Sequence, residues 1–288
     1  MAKSMCNTIH GVFIGDAVDF LKDFPDSSVQ LIIIDPPYNI GIDKWDIFDN
    51  YLEWAKEWLD QIYRILSDTG NCVIFGGFQY QDLKKGDLLE ILHYTRHKSD
   101  LRFINLIIWY YKNGTGSQRF FANRHEEAVW LSKTNKYYFD LDSVRLPFDD
   151  ATKQIYKKDK RLNPDNIDKG KNPTNVWEIG RLNGNSIERV GHVTQKPAEI
   201  IRRFVRALSF KDSIVLDFFA GSGTTGRVCI EEGRHSILID VDSKLNNYFE
   251  KHINQINTNL LLSNYVIMKN SSIEDVFNAI VDLLKQSH

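Results

Sequence analysis

Two strings of aliphatic residues, Val-Gln-Leu-Ile-Ile-Ile at 29–34 and Ser-Ile-Val-Leu at 213–216, each stop at an aspartate, Asp35 and Asp217. Both are too short for a helix and apolar on both faces, the pattern of strands buried between two helical layers. The flanking sequence supplies those layers. A short strand ending at Ile14 leads through Gly15-Asp16 into a helical stretch at 17–24, and Leu52, Ala55, Leu59, Ile62 and Ile65 fall at helical spacing before the strand 72–75. Two further strands are expected at 103–110 and 127–131. After 213–217 come a helix at 224–232, closed by Gly233, and a strand at 235–240. An amphipathic helix precedes them at 197–208. The tail holds a helix from 245, an edge strand at 265–268 and a helix at 271–284. Alternating strands and helices at both ends predict an α/β fold, a doubly wound and mostly parallel sheet. Residues 137–191 lose periodicity and accumulate Asn, Asp, Lys, Gly and Pro, which predicts irregular structure.

A net charge of −2 does not mark a nucleic-acid binder, but the charge is segregated. Lys153, Lys157, Lys158, Lys160, Arg161, Lys169 and Lys171 crowd one stretch, which reads either as a solvated loop or as a phosphate-contacting surface. Cys6, Cys72 and Cys229 are odd in number and far apart, against both a disulfide framework and a zinc site, so no metal is expected. There is no run of about 20 apolar residues and no basic-then-apolar start, so a cytoplasmic protein is expected.

Chemistry concentrates where the two buried strands end. Asp35-Pro36-Pro37-Tyr38 follows the first, and in an open parallel sheet such a position faces the ligand crevice. Two prolines remove two amide donors and leave carbonyl acceptors beside a carboxylate. That acceptor-rich corner suits an aromatic amine, whose N–H bonds must be held while nitrogen becomes more tetrahedral and positive. Tyr38 offers a flat face on which a base can stack. A plain strand-ending turn is the competing reading. The second strand continues into Asp217-Phe218-Phe219-Ala220-Gly221-Ser222-Gly223-Thr224-Thr225, where the glycines permit close approach of a ligand to backbone. Asp240, roughly 20 residues beyond, ends the next strand where a ribose diol is normally held. A third glycine at dinucleotide spacing is missing, and no lysine follows Gly223 as a Walker loop requires.

The two motifs together resemble those of the amino-methyltransferases of bacterial restriction-modification systems. The catalytic motif precedes the cofactor motif, as in the permuted β class, and the pattern is similar to adenine-N6 enzymes of the MboII methyltransferase type. The resemblance covers residues 8–133 and 192–248. It implies a Rossmann-like methyltransferase fold and S-adenosyl-L-methionine as methyl donor. The donor's methionine end would lie near residues 217–225 and near His192, Thr194, Lys196 and Pro197, and its ribose at Asp240. Asp16 and Ala17 match the element that meets the cofactor adenine, although Asp16 reads equally as a helix N-cap and both roles can coexist.

The resemblance also implies that Asp35, Pro36, Pro37 and Tyr38 carry catalysis, with Asp35 at the cofactor as well. Residues 137–190 fall where the family holds its target-recognition region. The seven basic residues above and Arg181 are then expected to contact double-stranded DNA, with Trp177 as a packing anchor. Arg119, Phe120 and Phe121 match a position from which an aromatic meets the flipped base, although a core Phe fits as well. The expected organisation is a catalytic half (1–136), a recognition insert (137–190), a cofactor half (191–255) and a C-terminal extension (256–288). Expected partners are DNA, a companion restriction endonuclease and a second copy of the chain. Related cytosine-N4 enzymes more often begin the catalytic motif with Ser, so Asp35 leans toward adenine. RNA amine methylation and a non-catalytic DNA-binding regulator remain as alternatives.

Overall fold

The computed structural model describes residues 7–42, 44–77, 88–114, 116–119, 121–258, 261 and 264–286. Its strands are β1 (Thr8–Ile14), β2 (Val29–Ile34), β3 (Leu66–Gly76), β4 (Arg102–Tyr110), β5 (His125–Ser132), β6 (Val176–Glu178), β7 (Ile214–Asp217), β8 (His235–Asp240) and β9 (Tyr265–Lys269). Its helices are α1 (Ala17–Leu21), α2 (Tyr51–Ile65), α3 (Leu88–Lys98), α4 (Asp150–Lys157), α5 (Pro164–Lys169), α6 (Ala198–Leu208), α7 (Thr224–Glu232), α8 (Leu245–Asn254) and α9 (Ile273–Gln286). The strands form one sheet in the order β6-β4-β5-β3-β2-β7-β8-β1-β9. Only β5 is antiparallel to its neighbours β3 and β4; the other pairs run parallel.

The period-2 alternation of a strand explains the two layers. Ile32 and Ile34 of β2 point into a core with Leu21 of α1, Trp58 and Ile62 of α2, and Val276 of α9. Leu31 and Ile33 point the other way, onto Ile201 and Phe204 of α6 and Val228 of α7. All six residues of β2 are buried, so an uninterrupted apolar string is what a doubly covered strand requires. The α2 N-terminus is fixed by Asn50, whose side chain accepts from Glu53 N. Gly233 stops α7 in the left-handed conformation (φ 70°).

The tail holds the expected edge strand, β9, paired along β1, with α9 packed in the core of α2. Two features depart from the sequence reading. The helix α3 was not foreseen. The segment expected to be irregular contains α4, α5 and the short edge strand β6. α4 buries no residue, so it carries no core stripe to read. It is capped by Asp149 and tied to α5 by Lys153 and Lys157, both ion-paired to Asp168. Trp177 is buried as expected, its ring 4.6 Å from that of Phe204 with the Arg203 guanidinium over it. Cys72 and Cys229 are buried thiols whose ionisation burial suppresses. Cys6 lies outside the described residues.

Packing is tight behind the glycine loop. A Cβ at Gly226 would sit 2.6 Å from Leu238 Cδ1 and 2.7 Å from Phe249 Cε2. Gly226→Ala is therefore expected to lower the unfolding free energy in urea by about 1–2 kcal/mol, overpacking outweighing the helix-propensity gain. Gly180→Ala, with nothing within 4 Å of the new Cβ, should stay within about 0.5 kcal/mol of the parent.

Candidate active site

Because β2, β7, β8 and β1 are parallel, their carboxyl ends deliver Asp35, Asp217, Asp240 and Asp16 to one edge of the sheet. All four line a single cavity there, with Trp54 and Phe48 on its wall. The glycine loop is shaped by these acids. Asp240 accepts from Gly221 N (2.7 Å) and Asp242 N (2.8 Å), and Asp217 accepts from Thr225 Oγ1 (2.6 Å) and Phe219 N (3.2 Å). Gly221 and Gly223 have φ of 48° and 78°, which other residues rarely adopt. Burial pushes the Asp217 carboxyl up to about 7, the Thr225 and Phe219 hydrogen bonds opposing and the charges of Asp240 and Asp35 adding to it. Asp240 is raised for the same first reason, partly offset by its two amide donors. Burial lowers His192, which lies over Gly221. A cavity ringed by crowded carboxylates and aromatic walls is chemically matched to a cationic ligand carrying a ring system.

A second cavity adjoins the first, and the two share Asp35, Pro37 and Lys196. Tyr38, Glu126, Arg181 and Tyr111 line the second. Tyr38 donates its hydroxyl to Asp35 Oδ1 at 2.6 Å, and Lys196 Nζ lies 2.6 Å from Asp35 Oδ2. The loop after Tyr38 is braced by the buried Asp46, whose carboxylate accepts from the backbone N of Asn39, Ile40 and Ile42. Asn39, at a positive φ of 55°, exchanges side-chain hydrogen bonds with the backbone of Phe48. Tyr51 donates to the Pro37 carbonyl. Thr194 and Lys196 are held from below by Gln195, which accepts from Val190 N and donates to Glu188 O.

The structure therefore gathers Asp16, Ala17, Asp35, Thr194, Lys196, Asp240 and residues 217–222, 224 and 225 around the first cavity. Gly223 and Pro197 stand outside its lining and serve as N-caps of α7 and α6. Asp16 caps α1 through Val18 N and also lines the cavity. Of the basic residues assigned to DNA, only Arg181 lines either cavity, its guanidinium 5.1 Å from the Tyr111 ring. Lys153 and Lys157 pair with Asp168, Lys169 with Asp142 and Arg161 with Asp159, while Lys158, Lys160 and Lys171 are exposed. Arg119 and Phe121 are exposed, and Phe120 lies outside the described residues. Sequence reasoning missed Asp46, Trp54, Phe48 and Glu126. The one local signal was the second carboxylate-ended run, Trp45-Asp46, directly after the proline motif.

An open α/β sheet that gathers acidic side chains at the carboxyl edge of its strands is of the doubly wound class, whose ligands bind in that crevice. Within that class, a family model described as DNA methylase, covering N6 and N4 enzymes, matches residues 29–251. The chain belongs to this N6/N4 DNA methylase family. It is 34% identical over 235 residues to the Type II methyltransferase M.HpaI of Haemophilus parainfluenzae, covering 80% of this chain and 69% of that one. To the Type II methyltransferase M1.MboII of Moraxella bovis it is 32% identical, covering 88% and 98%. To the DNA adenine methyltransferase YhdJ of Escherichia coli (strain K12) it is 30% identical, covering 83% and 80%. Among solved structures, the cytosine-N4-specific PvuII DNA methyltransferase superimposes with a TM-score of 0.65 at 18% identity, covering 99% and 96%. M1.HpyAVI, solved as a SAM complex, gives 0.57 at 22%, covering 85% and 99%. At those identities the structural likeness speaks for the fold, and that fold is the one the sequence predicted.

The raised Asp217 carboxyl makes a stability prediction. The folded state holds this proton to about pH 7, whereas the unfolded chain releases it near pH 4. The folded ligand-free protein should therefore lose stability as pH rises from about 4 to 7. Asp217→Asn should flatten that decline in urea titrations across the interval, and an unchanged slope would contradict the assignment.

Proposed function

We propose that the protein is an S-adenosylmethionine-dependent DNA methyltransferase that methylates adenine N6 in duplex DNA, the target base being turned out of the helix into the cavity beside Tyr38. The observation that carries this reading is the meeting of two cavities at one carboxylate, Asp35, with a cation-compatible acidic cavity on one side and an aromatic-lined one on the other. The first cavity, lined by Asp16, Phe48, Trp54, Thr194, Asp217 and Asp240, would hold the donor, with Asp240 for the ribose hydroxyls, the aromatic residues for the purine, and Asp217 with Thr194 for the charged methionine end. When bound there, S-adenosylmethionine supplies a methyl group on a positively charged sulfur, and the C–S electron pair stays on sulfur as the methyl leaves.

Asp35 and the Pro36 carbonyl hold the two N–H bonds of the amine, which fixes the nitrogen lone pair toward the neighbouring cavity. As the nitrogen gains positive charge, the Asp35 carboxylate stabilises it. The surplus proton leaves to solvent, directly or by way of Asp35. Alignment and charge supply the acceleration, since the donor is already activated. The Tyr38 ring supports the base. Arg181 on Tyr111 lines the base cavity, and it and the basic residues between 153 and 171 are the candidates for phosphate contact.

The adenine preference rests on Asp35 opening the motif and on the likeness to YhdJ. Cytosine N4 is the second reading, because the same acceptors would serve it and the PvuII enzyme shares the fold. The Type II designation of the relatives supports a companion endonuclease. Incubation with unmethylated genomic DNA and methyl-labelled S-adenosylmethionine, followed by nucleoside analysis, should yield labelled N6-methyladenine. Labelled N4-methylcytosine would keep the mechanism and overturn the base, and no label in DNA would overturn the reading. Asp35→Ala should cut turnover by about 10²–10³-fold or more. Tyr38→Ala should cost about 10–100-fold with cofactor affinity retained.

A further inference from the structure

Asp35 and Lys196, which line both cavities, form with Glu126 of the second a part-buried ion triad, of which the reaction as described uses Asp35 alone. Lys196 Nζ lies 2.6 Å from Asp35 Oδ2 and 3.3 Å from Glu126 Oε2, with the lysine side chain only 11% exposed. The rings of Phe75 and Tyr38 lie 5.3 and 5.8 Å from the same ammonium. The two oxygens of Asp35 thus have different partners: Oδ2 takes Lys196, and Oδ1 takes the Tyr38 hydroxyl. An incoming amine can replace a neutral hydroxyl at Oδ1 far more cheaply than a buried ammonium at Oδ2. Glu126 comes from β5, the one reversed strand, whose amino end lies at the cleft.

We propose that Lys196 and Glu126 form the positioning pair of the transfer reaction: Lys196 holds Asp35 oriented through Oδ2, leaving Oδ1 to the amine, while Glu126 balances the lysine. The inference rests on the amino-methyltransferase reading above. Its physical basis is charge. Lys196 alone beside Asp35 would leave no net negative charge to meet the developing ammonium, whereas Asp35, Lys196 and Glu126 together carry −1. Without the lysine, the Asp35 and Glu126 carboxylates would repel each other across one gap. Burial opposes the lysine's charge, and both carboxylates more than restore it, so Lys196 stays protonated across the working range. Other charged or titratable groups face the triad. Tyr38 follows Asp35, Tyr111 follows β4 beside Arg181, and His192 and Asp217 act on Asp35 from the cofactor side.

The test is the pH profile of the single-turnover methyl-transfer rate on DNA, read for the full-length protein and its variants alongside thermal melts. Lys196→Met should move the acid limb upward by about one pH unit or more. Adding Glu126→Gln should bring the limb back toward that of the wild type, because one carboxylate then remains, and Lys196→Arg should keep it in place. A lysine that only held the fold together would lower the rate without moving the limb, and the second substitution would rescue nothing; either result overturns the proposal. Should Lys196→Met melt below the assay temperature, Glu126→Gln alone decides. A fall of about tenfold in the single-turnover rate, with KM for DNA kept, supports the pair, and an unchanged rate overturns it. Absence of transfer by the wild-type protein would instead sink the functional reading on which this rests.

Discussion

Everything in the cleft depends on β2 lying beside β7. Leu31 pairs with Val215 and Ile32 with Leu216, joining segments far apart in the chain. That single parallel contact sets Asp35 and Asp217 at neighbouring strand ends, and the cavities follow. The order of motifs along the chain is then immaterial to the chemistry: the sheet, and not the sequence, decides which groups are adjacent. The contact is secured on both faces, by α2 on one side and by α6 and α7 on the other. A slip of one residue in β2 would turn both apolar sets the wrong way and carry Asp35 out of register.

Gathering Asp16, Asp35, Asp217 and Asp240 at one edge has an electrostatic cost that the structure meets locally. Amide donors from Phe219, Gly221 and Asp242 and the Thr225 hydroxyl serve two of the acids, a buried lysine serves the third, and a helix end serves the fourth. The part of that cost left over shows as the carboxyls of Asp217 and Asp240, raised chiefly by burial. A cation arriving in the cleft would favour their ionised forms, and that coupling would contribute to its affinity.

The strands and most core helices were legible in the sequence because their pattern is dictated by burial. Val29–Ile34 and Ile214–Asp217 have no other plausible fate, and Gly233 marks a helix end by its conformation. The motif residues were legible because strand ends and glycines constrain where a ligand sits. What the sequence concealed was pairing across long separations. Nothing local ties Lys196 to Glu126, or gives Asp46 its three amide donors from the loop after Tyr38. The helices α4 and α5 escaped for the opposite reason: they are held by surface charge, which leaves no apolar period. The same kind of pairing engages Lys153, Lys157 and Lys169 of the lysine-rich stretch, in exposed contacts that a phosphate can replace.

The chain leaves the sheet at the end of β5 and re-enters at β6, the outermost strand, three residues long and bonded only to β4. The stretch between is tied at its start to β3 and α6, through Tyr138 N to Thr69 O and Asp140 N to Ala207 O, and beyond that it reaches the margin of the sheet. Residues can be added there, removed or exchanged without any central strand losing a neighbour, and the short margin strand can re-form on whatever sequence follows. The stretch can thus change in length or sequence while the strand ends that carry Asp35, Asp217 and Asp240 keep their neighbours.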